Sequence, residues 1–336
     1  MDLEKIARDL GGLAKLGSVQ SFRPMEGGKN NRVVHTSYSN GLECVLKSYF
    51  FSENDQRDRL AAEFEFLYHV WNIGVRVVPQ PLAKDEGARV GLYSFLRGVK
   101  VAPGGVTEGH VKAALNFALQ INQSHIERGH IRPASEACFA LDSHIDTVHR
   151  RVERLEHLDE TAPFIAECRA FVRSKLRPLW FRLAEDVEKH FRKLGIDKGE
   201  LLPVEYRCLS PSDFGFHNAL IAPGGQVQFI DFEYAGLDDP AKLVCDFFCQ
   251  PDVPIPFQYF EMFSKEICTR LGLPKMFQTR IELLMDVYRV KWMCIMLNDF
   301  VAVEGARRNF ALGEEQRESR CARQLQRAED YIAKLS

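Results

Sequence analysis

The stretch LSPSDFGFHNALIAPGGQVQFIDFEYAGLDDP, Leu209 to Pro240, carries side chains whose types and spacing can do chemistry. Asp213 stands five residues before Asn218, and thirteen residues after Asn218 the short apolar run VQFI ends in Asp231. The spacing puts two carboxylates and one amide at the ends of an expected hairpin. Phosphoryl transfer from a nucleotide requires such a set: one Asp to accept or orient a hydroxyl proton, an Asn to help hold Mg²⁺, and a second Asp to bridge that metal to the phosphates. Hard oxygen donors in small number suit Mg²⁺, which keeps several waters and leans on phosphate for the rest of its shell. The bland alternative is an Asx-turn at 213–218 and a strand-capping Asp231.

Such a site also needs groups that hold a nucleotide. Gly27 and Gly28 precede a strand-like run, and glycines there let backbone amides approach phosphate. Alone they are also an ordinary turn. Lys47 follows the apolar Cys44, Val45 and Leu46 on a second strand-like run, where it can reach α- and β-phosphates if an acid on the next helix holds it. Glu63 and Glu65 are the candidates, with Glu63 preferred. Taken without the Asp213–Asn218–Asp231 set, these residues read as a solvated strand lysine and a solvated helix face.

The elements that must position these groups follow from periodicity. The first fifteen or so residues read as an amphipathic helix ending near Gly17. RVVHTSYS and LECVLKSYF read as strands joined at Asn40-Gly41, a hairpin signal because both residues tolerate positive φ. The segment 55–74 reads as a helix closed by Gly74, and VRVVPQPLA and RVGLYSFL as further strands. After Gly98 the segments 107–129, 143–157 and 164–194 are helical in pattern. The stretch 207–232 reads as loop and short strands, and helices resume at Pro240. The expected class is α+β, with residues 1–97 as a small antiparallel β lobe with one helix that binds nucleotide. Residues 98–336 form a large, mostly helical lobe for catalysis and acceptor binding.

Composition narrows the function. The chain has 336 residues, 46% of them hydrophobic, enough for a large core. Its 44 Lys plus Arg against 46 Asp plus Glu give a net charge of −2, which does not favour a sequence-independent nucleic-acid binder. No apolar run approaches the roughly 20 residues of a membrane span. Nine scattered cysteines without a C-x-x-C pair fit reduced core residues, so a soluble, cytoplasmic protein is expected.

With these motifs in view the chain resembles the aminoglycoside phosphotransferase and choline kinase superfamily, small-molecule kinases with the bilobal protein-kinase-like fold. GGKNNRVV resembles its nucleotide loop, which adds Asn30 to the glycines, and VLKSYF and EFEFL resemble its lysine strand and glutamate helix. YSFLRG resembles its hinge, where backbone groups of Ser94, Phe95 and Leu96 would meet adenine. QINQSH resembles the end of a helix bearing a structural histidine, here His125. SDFGFHNAL resembles the catalytic loop, FIDFEYAG the metal-binding strand, and DDPAKLVCDFF the segment after it, with Asp246 as a supporting carboxylate. One departure stands out: Pro211 and Ser212 occupy positions where the family usually has His and Gly.

The resemblance implies an ATP- and Mg²⁺-dependent kinase acting on a hydroxyl of a small polar acceptor: a sugar, an amino alcohol or an aminoglycoside-like molecule. A nucleotide-binding pseudokinase is the alternative. No activation segment follows FIDFEY, which argues against a protein acceptor. Weaker candidates for acceptor contacts are Glu233, Asp238, Trp292 and Asp299, each with an equally plain structural reading. His217, inside the loop, reads either as a phosphate or substrate contact or as loop packing.

Overall fold

A computed structural model describes residues 2–25, 31–51, 57–123, 131–302, 317–333 and 335. Gly27, Gly28, Asn30 and His125 lie outside the described residues. The chain divides into two units, Met1–Ser135 with Cys208–Leu237 and Asp252–Leu271, and Glu136–Arg207 with Asp238–Pro251 and Gly272–Ser336.

The first unit is built on a five-stranded antiparallel sheet of order β1-β2-β3-β5-β4. Its strands are β1 (Val19–Met25), β2 (Asn31–Tyr38), β3 (Glu43–Tyr49), β4 (Pro81–Asp85) and β5 (Val90–Ser94). Asn40-Gly41 makes the β2–β3 turn, with Gly41 at φ +85° and its amide bonded to the Tyr38 carbonyl at 2.9 Å. Alternation sends Val34, Tyr38, Cys44 and Leu46 to one face. There they form a core with Ala7 and Leu10 of helix α1 (Leu3–Leu13). Period 2 then obliges Lys47, the next residue on β3, to point to the other face.

Helix α2 (Arg59–Asn72) starts at Asp58, whose carboxylate accepts the Ala61 amide at 3.0 Å, and is closed by Gly74 at φ +87°. Two expectations for this region need correction. The run from Val75 to Gln80 is not strand; only Pro81–Asp85 pairs, because Pro79 and Pro81 deny the ladder its donors. Val19–Met25 is a strand that the sequence reading did not isolate, since its polar residues and Pro24 mask the alternation of an edge strand.

The same unit holds a three-stranded sheet of β6 (Val99–Lys100), β8 (Ala219–Ile221) and β9 (Val227–Phe229), with Ala219 opposite Phe229. Helix α3 (Glu108–Gln120), begun by a Thr107 capping box, backs this sheet by stacking Phe117 on Phe229 at 4.7 Å. Beyond its end, the Asn122 amide bonds both the carbonyl and the N–H of Leu209, at 2.9 and 2.8 Å, and so pins strand β7 (Cys208–Ser210) ahead of the loop.

The second unit is helical. All ten residues of α4 (Pro240–Cys249) are buried, and it packs beside the long α5 (Met276–Met296). So many carboxylates and cations on buried helices must pair to be tolerated. Asp239 caps α4 through the Ala241 amide at 2.7 Å and meets Arg280, while Asp246 takes Lys291 at 2.8 and 2.9 Å. Among the described residues no helix is long and apolar enough to cross a membrane.

Candidate active site

Every residue of the Asp213–Asn218–Asp231 set, together with Lys47 and Glu63, lies in the first unit. Lys47 Nζ donates to both oxygens of Glu63, at 2.8 and 3.0 Å, and to Asp231 Oδ1 at 2.9 Å, which uses all three ammonium protons. Burial alone would push the Lys47 ammonium down, but the facing charges of Asp231 and Glu63 more than offset it and hold the group protonated above its usual range. Burial raises Glu63, partly offset by Lys47. Of the two acids on α2, Glu63 is therefore the partner of Lys47. Glu65 binds Arg132 instead, at 2.9 and 3.2 Å.

Glu63 has further support that the sequence did not announce. Tyr49 donates to Glu63 Oε2 at 2.7 Å, and the Tyr49 and Tyr93 hydroxyls are 2.8 Å apart. Burial lifts both phenols well above their usual range, so they remain neutral donors. Gly91, paired with Lys47 across the sheet, makes room for this chain of bonds: a Cβ there would sit 2.4 Å from the Tyr93 hydroxyl.

The loop between β7 and β8 brings the catalytic candidates together. Asn218 closes a short turn, Phe216–Asn218, and its Nδ2 donates to the Asp213 carbonyl at 3.1 Å and to Asp213 Oδ2 at 3.3 Å. His217 Nε2 lies 3.1 Å from Asp213 Oδ1. Ser212 takes φ +67°, a left-handed conformation that glycine adopts without strain, and its amide donates to Ser210 Oγ at 3.1 Å. The site thus carries backbone strain where the resembling family has Gly. Asp231 is left-handed too, at φ +71°.

Pairing of β8 with β9 sets Asn218, just before β8, beside Ile230 and Asp231, just after β9; the Ile230 amide donates to the Asn218 carbonyl at 2.9 Å. Phe232 then stacks on Phe66 of α2 at 4.7 Å, which fixes the Asp231 segment to the helix that carries Glu63. Among the described residues Asn218 Oδ1 and Asp231 Oδ2 make no hydrogen bond. Two hard oxygens are thus left for a cation, and no larger His, Cys, Asp or Glu cage exists among the described residues. That fits Mg²⁺, which binds through one or two carboxylates plus phosphate.

The hinge residues differ in what they leave open. Ser94 and Phe95 spend their amides on the Gln80 and Glu43 carbonyls, both at 2.9 Å, whereas the Leu96 amide has no such bond among the described residues.

The weaker candidates are placed as follows. Glu233 is buried, receives Asn31 Nδ2 at 2.7 Å and lies 3.9 Å from the Arg59 guanidinium. In the second unit Asp238 has no exposed surface: Lys242 binds one oxygen and the Cys138 amide the other. Asp299 is buried and takes Arg320 at 3.4 Å, and Trp292 donates its indole N–H to Asp246 at 2.9 Å. Asp238 and Asp299 are both buried, and each neutralises a buried cation.

The profile of the phosphotransferase enzyme family matches residues 21–249, more than half of the chain. The chain belongs to this family. The match spans Lys47, Glu63, Asp213, Asn218 and Asp231. This phosphotransferase resembles in fold the choline kinase LicA from Streptococcus pneumoniae, with TM-score 0.59 and 16% identity over 99% of this chain and 100% of that one. It also resembles the spectinomycin phosphotransferase APH(9)-Ia, solved with ADP and spectinomycin, with TM-score 0.62 and 11% identity over 97% and 98%. A third is the macrolide 2′-phosphotransferase MphH from Brachybacterium faecium, with TM-score 0.56 and 16% identity over 93% and 97%. No curated protein matches the sequence. The α+β, kinase-like class expected from the sequence is the one observed.

Proposed function

We propose that this phosphotransferase moves the γ-phosphoryl group of ATP to a hydroxyl of a small polar molecule, a sugar, an amino alcohol or an aminoglycoside-like compound, with Mg²⁺. The observation that carries this reading is the Asp213 carboxylate held by His217 and Asn218, in a loop bonded to the segment that ends in Asp231. Asp213 accepts or orients the acceptor hydroxyl. Lys47, kept charged by Glu63, aligns the α- and β-phosphates, and the Leu96 amide is the open donor for adenine. Asn218 Oδ1 and Asp231 Oδ2 would hold Mg²⁺, which when bound offsets phosphate charge. Most of the acceleration then comes from positioning and fixed charge.

The test is ADP formation from MgATP across a panel of sugars, amino alcohols, aminoglycosides and nucleosides. Acceptor-dependent turnover supports the reading and names the acceptor class. ATP binding without turnover on any member would favour a nucleotide-binding scaffold that transfers nothing.

A further inference from the structure

The structure assigns His217 as a positioning residue for Asp213, a role that rests on the phosphotransfer reading above. An aspartate that orients a hydroxyl must hold its carboxylate plane, and Asp213 is about one-third exposed, with side-chain exposure of 36%. A backbone position does not by itself fix χ1 and χ2, and its neighbour Ser212 is left-handed. Orientation therefore has to come from side chains that grip the two oxygens.

They do so from one short turn. Asn218 Nδ2 donates to Oδ2, and His217 Nε2 lies 3.1 Å from Oδ1. A carboxylate oxygen only accepts, so His217 supplies an N–H there. Asn218 is also a candidate cation ligand, so its amide must serve two partners. His217 answers to Asp213 through the other oxygen and leaves that amide free to do both.

The backbone of His217 is itself held. Its carbonyl accepts Lys100 Nζ from β6 at 2.7 Å, and the next amide, of Asn218, bonds Gly215 at 3.0 Å. Phe216, on its other side, is fully buried and tilts against His110 at 6.0 Å. The backbone at His217 is thus set by β6 and by the turn, and its neighbour Phe216 by the core. Only 16% of the His217 side chain is exposed.

The experiment uses the full chain and MgATP, with water as the acceptor present in every assay, and repeats it with any acceptor that the panel identifies. His217→Leu and His217→Asn both remove the donor that reaches Oδ1; His217→Gln returns an N–H at nearly the Nε2 distance. Asp213→Ala and the Asp213→Ala/His217→Leu pair complete a cycle. Thermal melting of each variant is recorded alongside kcat and KM for MgATP.

The expected result is a fall in kcat of about 10–100-fold for the Leu and Asn variants, with KM for MgATP nearly unchanged, because a misaimed group costs on that order. The Gln variant recovers most of kcat, and Leu adds nothing once Asp213 is Ala. The assignment is overturned if Asp213→Ala abolishes turnover while His217→Leu or →Asn keeps it, if Gln does no better than Leu, or if the pair falls well below Asp213→Ala. Wild-type turnover in Asp213→Ala would instead remove the phosphotransfer reading itself.

Discussion

The amide of Ile230 donates to the carbonyl of Asn218 at 2.9 Å, and through that bond two residues distant in sequence become neighbours in the site. Asn218 enters β8 and Asp231 leaves β9, so the antiparallel register alone sets the amide and the carboxylate side by side. Neither residue has to be placed by a long loop. A hairpin that Phe117 supports from α3 does it.

In this structure Asp231 occupies the third proton of Lys47, the one that nucleotide phosphate would take on the proposed reading. On the proposed reading, binding of nucleotide with metal would exchange partners: phosphate would replace Asp231 on Lys47, and Asp231 would be released to hold the cation. Asp231→Asn should weaken MgATP binding by about tenfold or more, since a charge-assisted contact contributes roughly 1.5–3 kcal/mol. Metal-free ATP should bind Asp231→Asn as well as wild type or better. Calorimetric titration with and without chelator reads both; equal weakening in the two conditions would contradict the exchange.

Lys47→Ala leaves Glu63, whose side chain is 1% exposed, without its cation. Removing one partner of a buried pair costs about 3–5 kcal/mol. The sign with pH follows from the neutralised acid. Burial already raises Glu63, and without Lys47 it rises further, so the folded variant prefers the protonated form. Its deficit should be largest at neutral pH and shrink as pH falls toward the unfolded carboxylate value of about 4.3. Denaturant melts of both proteins at pH 7 and pH 5 measure the gap; a gap that widens on acidification would be the wrong sign.

Ser212 at φ +67° stores strain that glycine would not. A left-handed non-glycine residue costs about 1–3 kcal/mol, against roughly 0.5–1 kcal/mol for the extra freedom glycine brings to the unfolded chain. Ser212→Gly should therefore stabilise the protein by about 1 kcal/mol, seen as a higher denaturation midpoint with an unchanged m-value. A lower midpoint would mean that the strain lies elsewhere.

In the second unit His144 is fully buried, with Nε2 3.1 Å from Asp239 and Nδ1 2.7 Å from the Tyr288 hydroxyl. Burial lowers its pKa, with Asp239 offsetting part of that. The unfolded imidazole, near 6.5, thus takes up a proton before the folded one does. Stability should be full above about pH 6.5 and fall below it, by at most about 1.4 kcal/mol per pH unit from this group. His144→Gln should flatten that slope between pH 6.5 and 5 while lowering stability at pH 7.

The sequence disclosed the parts of the site that are local. Lys47 was legible because strand period 2 fixes its face, and Glu63 because helical spacing fixes which side of α2 carries it. Asp213, Asn218 and Asp231 were legible because one hairpin brings them together. Supports that act across the fold were not. Asn122 on Leu209, Asn31 and Arg59 around Glu233, and Lys100 on the His217 carbonyl join residues from 87 to 202 positions apart. No short-range pattern marks such pairs. Asp238, a candidate acceptor contact, and Asp239 stand just before Pro240, yet the helix they introduce is buried along its whole length, so both carboxylates go inside with it and must find cations there.

The measurement closest to the central claim compares Asp213→Asn with wild type for transfer and for binding: kcat with MgATP and the acceptor found by the panel, and the MgATP dissociation constant by titration. The substitution keeps size and hydrogen-bonding atoms but removes the carboxylate that orients the hydroxyl. Transfer should fall by about 10²–10⁴, the range for loss of a positioned acid–base group, while the dissociation constant stays within about threefold. Transfer that persists at the wild-type rate would contradict the account.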